Sequence, residues 1–320
     1  MHDLGDEMKS QFIIIILLIS ASLAGCIEKD VENIDIVEEP ITEIELFTEK
    51  CIEFDELERC WLTLIPSEYN ENKSYPLVVD MHGYTGTNWM MYNYSDWNRI
   101  SEEHNVIIAY PQGYENSWNA GWCCGVSHDE GIDDVGFILK MVEIISANYS
   151  VNNSKIYASG HSNGCAMTQK LANAASHVFA AAGCMALYLL DDPSPSFSPT
   201  PIIEVHGILD IVIPYSNTHS SSIYFDTSLE GEQGALQNIA KWAEMNGCSG
   251  TFPEMIEEYP DYSIQGYTDC EENVEVRLIT LHMGDHNPYP YANPTGIETT
   301  QMVWDFMNQF TLEPEEITVN

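Results

Sequence analysis

The sequence predicts an α/β protein with a mostly parallel central sheet and helices on both faces. Short apolar, β-branched runs alternate with longer amphipathic segments along most of the chain, which is the pattern of a parallel sheet wound by helices. The 320 residues are 44% hydrophobic, which is enough to form a substantial core. A glycine-flanked serine also stands between a predicted strand and a predicted helix. We therefore look for function at the carboxyl ends of the strands.

The strands are predicted from their apolar, β-branched composition, and the helices from amphipathic spacing. An antiparallel pair opens the domain at 44–47 and 60–65. Buried parallel strands follow at 77–81, 106–110, 155–159, 178–187, 202–205 and 274–281. The helices are predicted at 97–104, 134–149, 163–175, 233–246 and 297–310.

The amino-terminal segment predicts export. Residues 12–19 are an unbroken apolar run, followed by small residues up to Cys26. The run is shorter than the roughly 20 residues that span a bilayer, and it predicts a signal peptide over 1–25. Leu23-Ala24-Gly25-Cys26 resembles a lipoprotein processing box, with Cys26 as the lipidated residue; an ordinary signal peptide or an uncleaved anchor is the alternative. We expect an acidic tether at 26–43, a folded domain at 44–320, and a location outside the cell or on the outer face of the membrane.

The charge balance excludes one class of partner. The chain has 50 Asp and Glu against 11 Lys and Arg, a formal net charge of −39. A nucleic-acid binder needs clustered cations to neutralise phosphates, so nucleic acid is excluded. An anionic membrane surface is excluded as an electrostatic partner for the same reason. Contact with a membrane is expected only through a lipid on Cys26.

The cysteine count favours disulfides. If Cys26 carries lipid, eight of the nine cysteines remain, and an even number in an exported chain favours disulfides over a metal. Two pairings are suggested among many, Cys51 with Cys60 and Cys248 with Cys270. No CxxC pair recurs with zinc-ligand spacing. We predict neither a metal nor a cofactor.

A short motif identifies a candidate nucleophile. Gly160-His161-Ser162-Asn163-Gly164 follows the predicted strand 155–159 and directly precedes a helix. In this setting the glycines permit a strained turn that lifts the serine hydroxyl above the sheet, with a helix N-terminus behind it. A glycine-rich turn with an incidental serine is the alternative interpretation.

A serine nucleophile needs a base, and the base needs an orienting carboxylate. In hydrolases of this topology the acid and then the histidine follow the serine, each at a later strand end. Asp210 lies in the loop after strand 202–205, with Asp191 and Asp192 as weaker rivals. His286 is preferred as the base over His282, because a Gly-Asp turn allows its loop to reach the serine. His82, His161 and His206 are interpreted as structural.

The remaining site residues follow from the same topology. The oxyanion hole is predicted from the backbone N–H groups of Asn163 and of Tyr84, which follows a His-Gly pair after strand 77–81. Trp118 and Trp122 are predicted to line a substrate cleft. Asp133 and Asp134 could form a metal or acid–base pair, but a helix N-cap is the more economical interpretation.

A family resemblance joins these observations. The motifs that carry it span roughly residues 57–310 and include Pro76-Leu77-Val78-Val79 before His82-Gly83, Tyr110-Pro111-Gln112-Gly113, 118–125, Asp133-Asp134-Val135-Gly136-Phe137, 160–164, 206–215 and 242–248. With these motifs the sequence resembles the esterase family that includes polyhydroxybutyrate depolymerases, secreted feruloyl esterases and LpqC-type lipoprotein esterases. The resemblance implies an α/β-hydrolase fold and hydrolysis of carboxylic esters, with Ser162, Asp210 and His286 as the matching triad. The chain departs from the family at Gly284-Asp285-His286-Asn287-Pro288, where relatives often have Gly-His followed by Trp-Pro, and at Cys165, where glycine is common.

The sequence therefore predicts an exported serine esterase that forms an acyl-enzyme. The expected substrate is a polyester of the polyhydroxybutyrate type, or a feruloyl or acetyl ester on a polysaccharide. Two alternatives stay open, a surface lipoprotein that only binds polymers and a peptidase of the same fold.

Overall fold

A ten-stranded sheet lies at the centre of the residues that this computed structural model describes, which are 45–121, 124–189, 191–216, 234–290 and 296–313. The strands are β1 (Phe47–Phe54), β2 (Leu57–Leu64), β3 (Tyr75–Met81), β4 (Ile107–Pro111), β5 (Val151–His161), β6 (Ala181–Met185), β7 (Ile202–Gly207), β8 (Glu254–Glu258), β9 (Tyr262–Tyr267) and β10 (Val276–Leu281). Their order across the sheet is β1-β2-β4-β3-β5-β6-β7-β10-β9-β8. The signal peptide, Cys26, the tether and Trp122 lie outside the described residues.

The six central strands are parallel, and the flanking strands are antiparallel. β4, β3, β5, β6, β7 and β10 pair in parallel, whereas β1 and β2 at one edge and β9 and β8 at the other pair antiparallel. Five of the six parallel strands are almost wholly buried, and β5 is buried in its carboxyl-terminal half, in keeping with their apolar sequences. The predicted mostly parallel sheet is confirmed.

Helices cover the two faces of the sheet. They are α1 (Asn88–Tyr94), α2 (Trp97–His104), α3 (Val126–Asp129), α4 (Asp134–Asn148), α5 (Asn163–Ala174), α6 (Ala235–Met245) and α7 (Thr299–Met307). Side chains of α4, α5 and α6 join one hydrophobic core, and those of α1, α2 and α7 join the other. Asp133 is the N-cap of α4, and its carboxylate accepts a hydrogen bond from Gly136 N, as the N-cap interpretation expected. Among the described residues, no helix is long and apolar enough to cross a membrane.

Several elements differ from the sequence prediction, and the differences within the sheet have clear causes. The first strand runs over Phe47–Phe54 rather than 44–47, because the hairpin turns at Asp55 and Glu56, which both adopt positive φ. The strand predicted at 178–187 is confined to Ala181–Met185. The β8–β9 hairpin was not predicted, because the glutamate-rich Glu254–Glu258 lies at the sheet edge with its side chains largely exposed.

Three disulfides tie the described residues together. Cys51–Cys60 joins directly opposed residues of β1 and β2, and Cys248–Cys270 joins the end of α6 to the segment after β9. Both predicted pairings are confirmed. A third disulfide, Cys165–Cys184, links the first turn of α5 to β6 and is fully buried.

Candidate active site

Ser162 occupies a sharp turn between β5 and α5. Its backbone has φ 52° and ψ −122°, a strained combination for a residue with a side chain. The turn requires both flanking glycines. A methyl group at Gly160 would lie 2.5 Å from Gly164 O and 2.9 Å from Met81 O, and one at Gly164 would overlap Met81 O. The motif therefore folds as a nucleophile elbow that presents the Ser162 hydroxyl at the carboxyl edge of the sheet.

The structure brings Ser162, His286 and Asp210 into hydrogen-bond contact. His286 Nε2 lies 3.0 Å from Ser162 Oγ, and His286 Nδ1 lies 2.7 Å from Asp210 Oδ2. Asp210 follows β7 and His286 follows β10, which are neighbouring parallel strands. With a proton on Nδ1 donated to Asp210, Nε2 is free to accept the serine proton. This arrangement can perform general-base-assisted nucleophilic attack.

Asp210 remains ionised although it is buried. Its Oδ1 accepts hydrogen bonds from Val212 N and Ile213 N, each at 2.8 Å. Burial alone would raise the pKa of this carboxyl, but hydrogen bonds from His206 and His286 outweigh burial and hold the pKa well below its usual range. Asp210 is therefore an anion throughout the neutral range and can orient His286.

The rival candidates lie elsewhere. His282 Nδ1 lies 2.9 Å from Pro260 O, at the turn between β8 and β9. Asp192 accepts a hydrogen bond from Asn173 Nδ2 through its backbone carbonyl. The Asp191 carboxylate lies against Gly121. The structure thus connects Asp210 and His286 to Ser162 by hydrogen bonds, and it does not connect the alternatives Asp191, Asp192 and His282 to it.

The predicted oxyanion donors flank Ser162. Asn163 is the first residue of α5, and Tyr84 lies in the loop after β3. None of the hydrogen bonds among the described residues uses the Tyr84 N–H. His82 stabilises this loop: its Nδ1 is 2.8 Å from Gly83 O, and its Nε2 accepts from Gly113 N at 2.9 Å. Burial lowers the pKa of His82 to about 4, so the ring stays neutral and keeps both contacts.

Trp118, which the sequence analysis predicted to bind substrate, does not line the cavity beside Ser162. The side chain is fully buried, and its indole N–H donates to His82 O at 2.8 Å. Its backbone is held by the side chain of Asn163, which accepts from Trp118 N at 2.7 Å and donates to Trp118 O at 3.1 Å. A buried indole N–H usually has a hydrogen-bond acceptor, and here the acceptor belongs to the loop that carries Tyr84. Trp118 therefore supports this loop.

A cavity of about 200 Å³ opens beside Ser162. Helix α1, which was not predicted, forms one wall of it. Its lining includes Gly83, Tyr84, Met90, Met91, Tyr94, His161, Ser162, His286, Asn287 and Tyr289. The walls are mostly apolar, with the reactive groups on one side, which suits a neutral acyl group.

Sequence reasoning missed the contacts that two histidines and one glutamate make around the triad. His161 Nε2 lies 2.6 Å from His286 O and fixes the loop that carries the base. Glu204 and His206 lie behind Asp210 and contact each other at 2.8 Å. The available signal was the alternation of charged residues within the apolar run Ile202–Gly207, because alternate strand residues share one face.

Comparisons with known proteins agree with this geometry. Feruloyl esterase B of Piromyces equi is 28% identical over 260 residues, covering 77% of this chain and 44% of the relative. A bifunctional acetylxylan esterase/xylanase of Neocallimastix patriciarum is 20% identical over 244 residues, covering 74% of this chain and 31% of the relative. The chain thus spans less than half the length of these curated relatives. No family model matches it.

Solved structures show the fold. An acetyl xylan esterase from Aspergillus awamori superposes with a TM-score of 0.55 at 16% identity, covering 75% of this chain and 94% of that one. A thermostable esterase superposes with the same TM-score at 17% identity, covering 83% of this chain and 64% of that one. The fold is that of the α/β-hydrolase esterases. The homologues are feruloyl and acetylxylan esterases, and they confirm the predicted resemblance to the feruloyl esterase family.

Proposed function

We propose that this chain, whose homologues are feruloyl and acetylxylan esterases, is an exported serine esterase. It hydrolyses carboxylic esters through Ser162, His286 and Asp210. The observation that carries the proposal is the continuous hydrogen-bonded path from Ser162 Oγ to His286 at 3.0 Å and from His286 to Asp210 at 2.7 Å. This path ends at an apolar cavity large enough for a small acyl group.

The reaction has two acyl-transfer steps. Ser162 Oγ attacks the ester carbonyl while His286 Nε2 takes its proton, and Asp210 stabilises the imidazolium that forms. The backbone N–H groups of Tyr84 and Asn163 bind the oxyanion. His286 then protonates the departing alcohol, which leaves an acyl group on Ser162. Water, deprotonated by His286, attacks this acyl-enzyme and releases the acid.

The substrate is a neutral ester carried by a larger alcohol, with a feruloyl or acetyl group on a polysaccharide favoured over a polyester of the polyhydroxybutyrate type. The relatives named above favour the polysaccharide esters. The apolar side chains of Tyr84, Met90 and Tyr94 at the cavity suit an apolar or aromatic acyl group. A net charge of −39 disfavours anionic substrates by repulsion.

The decisive experiment compares Ser162→Ala with Ser159→Ala, a buried serine of the same strand that does not line the cavity. Both are assayed on methyl ferulate, acetylated xylan, polyhydroxybutyrate and p-nitrophenyl butyrate, and with a fluorophosphonate probe. We expect Ser162→Ala to lose about 10⁴-fold or more of kcat/KM and all labelling, and Ser159→Ala to retain both. Wild-type rates in Ser162→Ala would refute the proposal.

The proposal includes export and a lipid on Cys26. The three disulfides support an oxidising compartment, because such bonds are rare in the reducing cytosol. Expression of the full chain with a radiolabelled fatty acid, beside Cys26→Ser, tests the lipid. The label should enter the wild-type protein and not the variant.

A further inference from the structure

Two charged side chains of β7 are buried behind the candidate triad. Glu204 and His206 occupy alternate positions of the strand, so both point to the same face of the sheet. They are 1% and 0% exposed. Ionisable side chains are almost never buried to this degree unless they are paired. The proposed reaction as described above uses neither of them.

The two residues continue the hydrogen-bonded path beyond Asp210. Asn238 Nδ2, from α6, donates to Glu204 Oε2 at 2.6 Å. Glu204 Oε1 lies 2.8 Å from His206 Nδ1. On the other side of the ring, His206 Nε2 lies 2.9 Å from Ile213 O and 3.4 Å from Asp210 Oδ2. The path therefore extends from α6 to Ser162.

The partners of His206 define its charge. The Ile213 carbonyl can only accept, so Nε2 carries a proton. On the other side, Nδ1 faces a carboxylate whose second oxygen already accepts from Asn238. Burial favours a neutral ring, but hydrogen bonds to Asp210 and Glu204 outweigh it and raise the pKa of His206 to about 9. Burial also raises the pKa of Glu204, but the His206 cation and the hydrogen bonds from His206 and Asn238 oppose this shift. An imidazolium thus lies between two carboxylates.

Two tyrosine rings enclose this cation. Tyr188 stacks on the His206 ring with centroids 5.3 Å apart, and Tyr215 meets it edge-on at 5.8 Å. Burial raises the pKa of both phenols, so they stay neutral. The Tyr188 hydroxyl donates to Pro214 O, and the Tyr215 hydroxyl lies 2.8 Å from Thr280 Oγ1.

Among the residues that the structure describes, the charged groups that face His206 are the carboxylates of Glu204 and Asp210. His286 lies beyond Asp210, and His161 beyond His286.

We infer that Glu204 and His206 are positioning residues for the candidate catalytic carboxylate, and that they lock Asp210 between the rings of His206 and His286. Asp210 Oδ1 is held by two backbone amides and Oδ2 by two imidazoles, so the carboxylate cannot rotate away from His286. The inference rests on the proposed function, because Asp210 must orient a catalytic base for its alignment to matter.

The test uses His206→Gln and Glu204→Gln, with Asn246→Ala as a matched control. Asn246 lies on the same segment as Asn238, at the end of α6, and is equally buried. Its side chain bonds the backbone of Thr200, at the opposite end of β7 from Asp210. The control therefore removes a buried polar side chain near the strand without touching the path to Ser162.

We expect His206→Gln to lower kcat by about tenfold or more with KM little changed, and Glu204→Gln to do the same more weakly. Asn246→Ala should lower Tm but keep kcat and KM. Wild-type kcat in the folded His206 and Glu204 variants would overturn the inference.

Two further readouts separate the possible failures. In the wild-type protein, ¹⁵N NMR should show His206 doubly protonated at neutral pH, and a neutral ring would overturn the inference even if His206→Gln fails to fold. Absence of fluorophosphonate labelling in the wild-type protein would refute the proposed function and this inference together. Labelling of the wild type with unchanged variants would refute only the inference.

Discussion

Asp80 and Asp210 are both buried near the carboxyl ends of parallel strands, yet the pKa values of their carboxyl groups shift in opposite directions. Asp210 accepts hydrogen bonds from two amides and His286 and lies beside the His206 cation, and its pKa falls well below the usual range. Neither oxygen of Asp80 has a hydrogen-bond partner in the described structure. Burial raises the pKa of Asp80 to about 7, although Ser95, Ser159 and Trp97 nearby oppose the shift. The donors around a carboxylate, rather than its depth, thus decide its charge.

The largest difference between the two aspartates is expected in kcat, when Asp210→Asn is compared with Asp80→Asn. An amide at 210 can still accept from Val212 and Ile213, but its N–H groups face His286 Nδ1. The imidazole then adopts the wrong tautomer and presents a proton to Ser162. We expect kcat to fall about 10⁴-fold for Asp210→Asn and to stay within about threefold for Asp80→Asn. Equal losses of kcat in the two variants, measured by steady-state kinetics, would contradict this prediction.

Asp134 is a third buried carboxylate, and it extends the comparison to the stability of the fold. Asp134 Oδ1 lies 2.6 Å from the guanidinium of Arg59, and both side chains are almost fully buried. Burial raises the pKa of Asp134, and Arg59 opposes the shift. Replacing Arg59 by Met leaves this charge unpaired, so we expect the free energy of unfolding to fall by about 3 kcal/mol or more in urea titrations.

The neighbouring Asp133 gives the control for this prediction. It is an exposed N-cap, so Asp133→Ala should cost only about 1 kcal/mol. In the double variant Arg59→Met/Asp134→Asn, the neutral amide no longer needs a cation, and part of the loss should be recovered. An Arg59→Met variant no less stable than Asp133→Ala would contradict this account.

The last expected effect, no larger than that of Arg59→Met, is the pH dependence that Asp80 gives to stability. The folded protein keeps the Asp80 proton up to a pKa of about 7, whereas the unfolded chain releases it near pH 4. The free energy of unfolding therefore falls as pH rises between these values, by about 3 kcal/mol from pH 5 to pH 8 through this group. Asp80→Asn should lack this component, so its stability relative to wild type should rise with pH. Parallel stability curves for the two proteins would contradict the prediction.

The sequence predicted the sheet and the three residues Ser162, Asp210 and His286 because their signals are local and ordered. A glycine-flanked serine after a strand, then an acid and a histidine after later strands, can be identified without distances. Glu204 and His206, which lie behind Asp210, could not be identified from the sequence. Their contact at 2.8 Å depends on a fold that brings α6 and the loop after β7 beside them. A buried charge in a strand shows only that a partner exists.

The lining of the cavity was hard to predict for a similar reason. Trp118, predicted at the cleft, is fully buried under the loop that carries Tyr84, whereas α1 brings two methionines to the cavity. Aromatic composition does not distinguish a residue that packs under a loop from one that lines a cavity. The β8–β9 hairpin was missed because Glu254–Glu258 has neither the apolar run nor the alternation of a strand.

The Cys165–Cys184 disulfide makes the protein a reporter of its own unfolding. Both of its sulfurs are inaccessible, whereas Cys51–Cys60 and Cys248–Cys270 are at least partly exposed. A water-soluble reductant reaches the buried bond only when α5 separates from β6, so the rate at which these two thiols appear measures how often the helix behind Ser162 leaves its strand. Thiol counting during mild reduction would thus time the opening of α5, and it needs neither a substrate nor a fluorescent label.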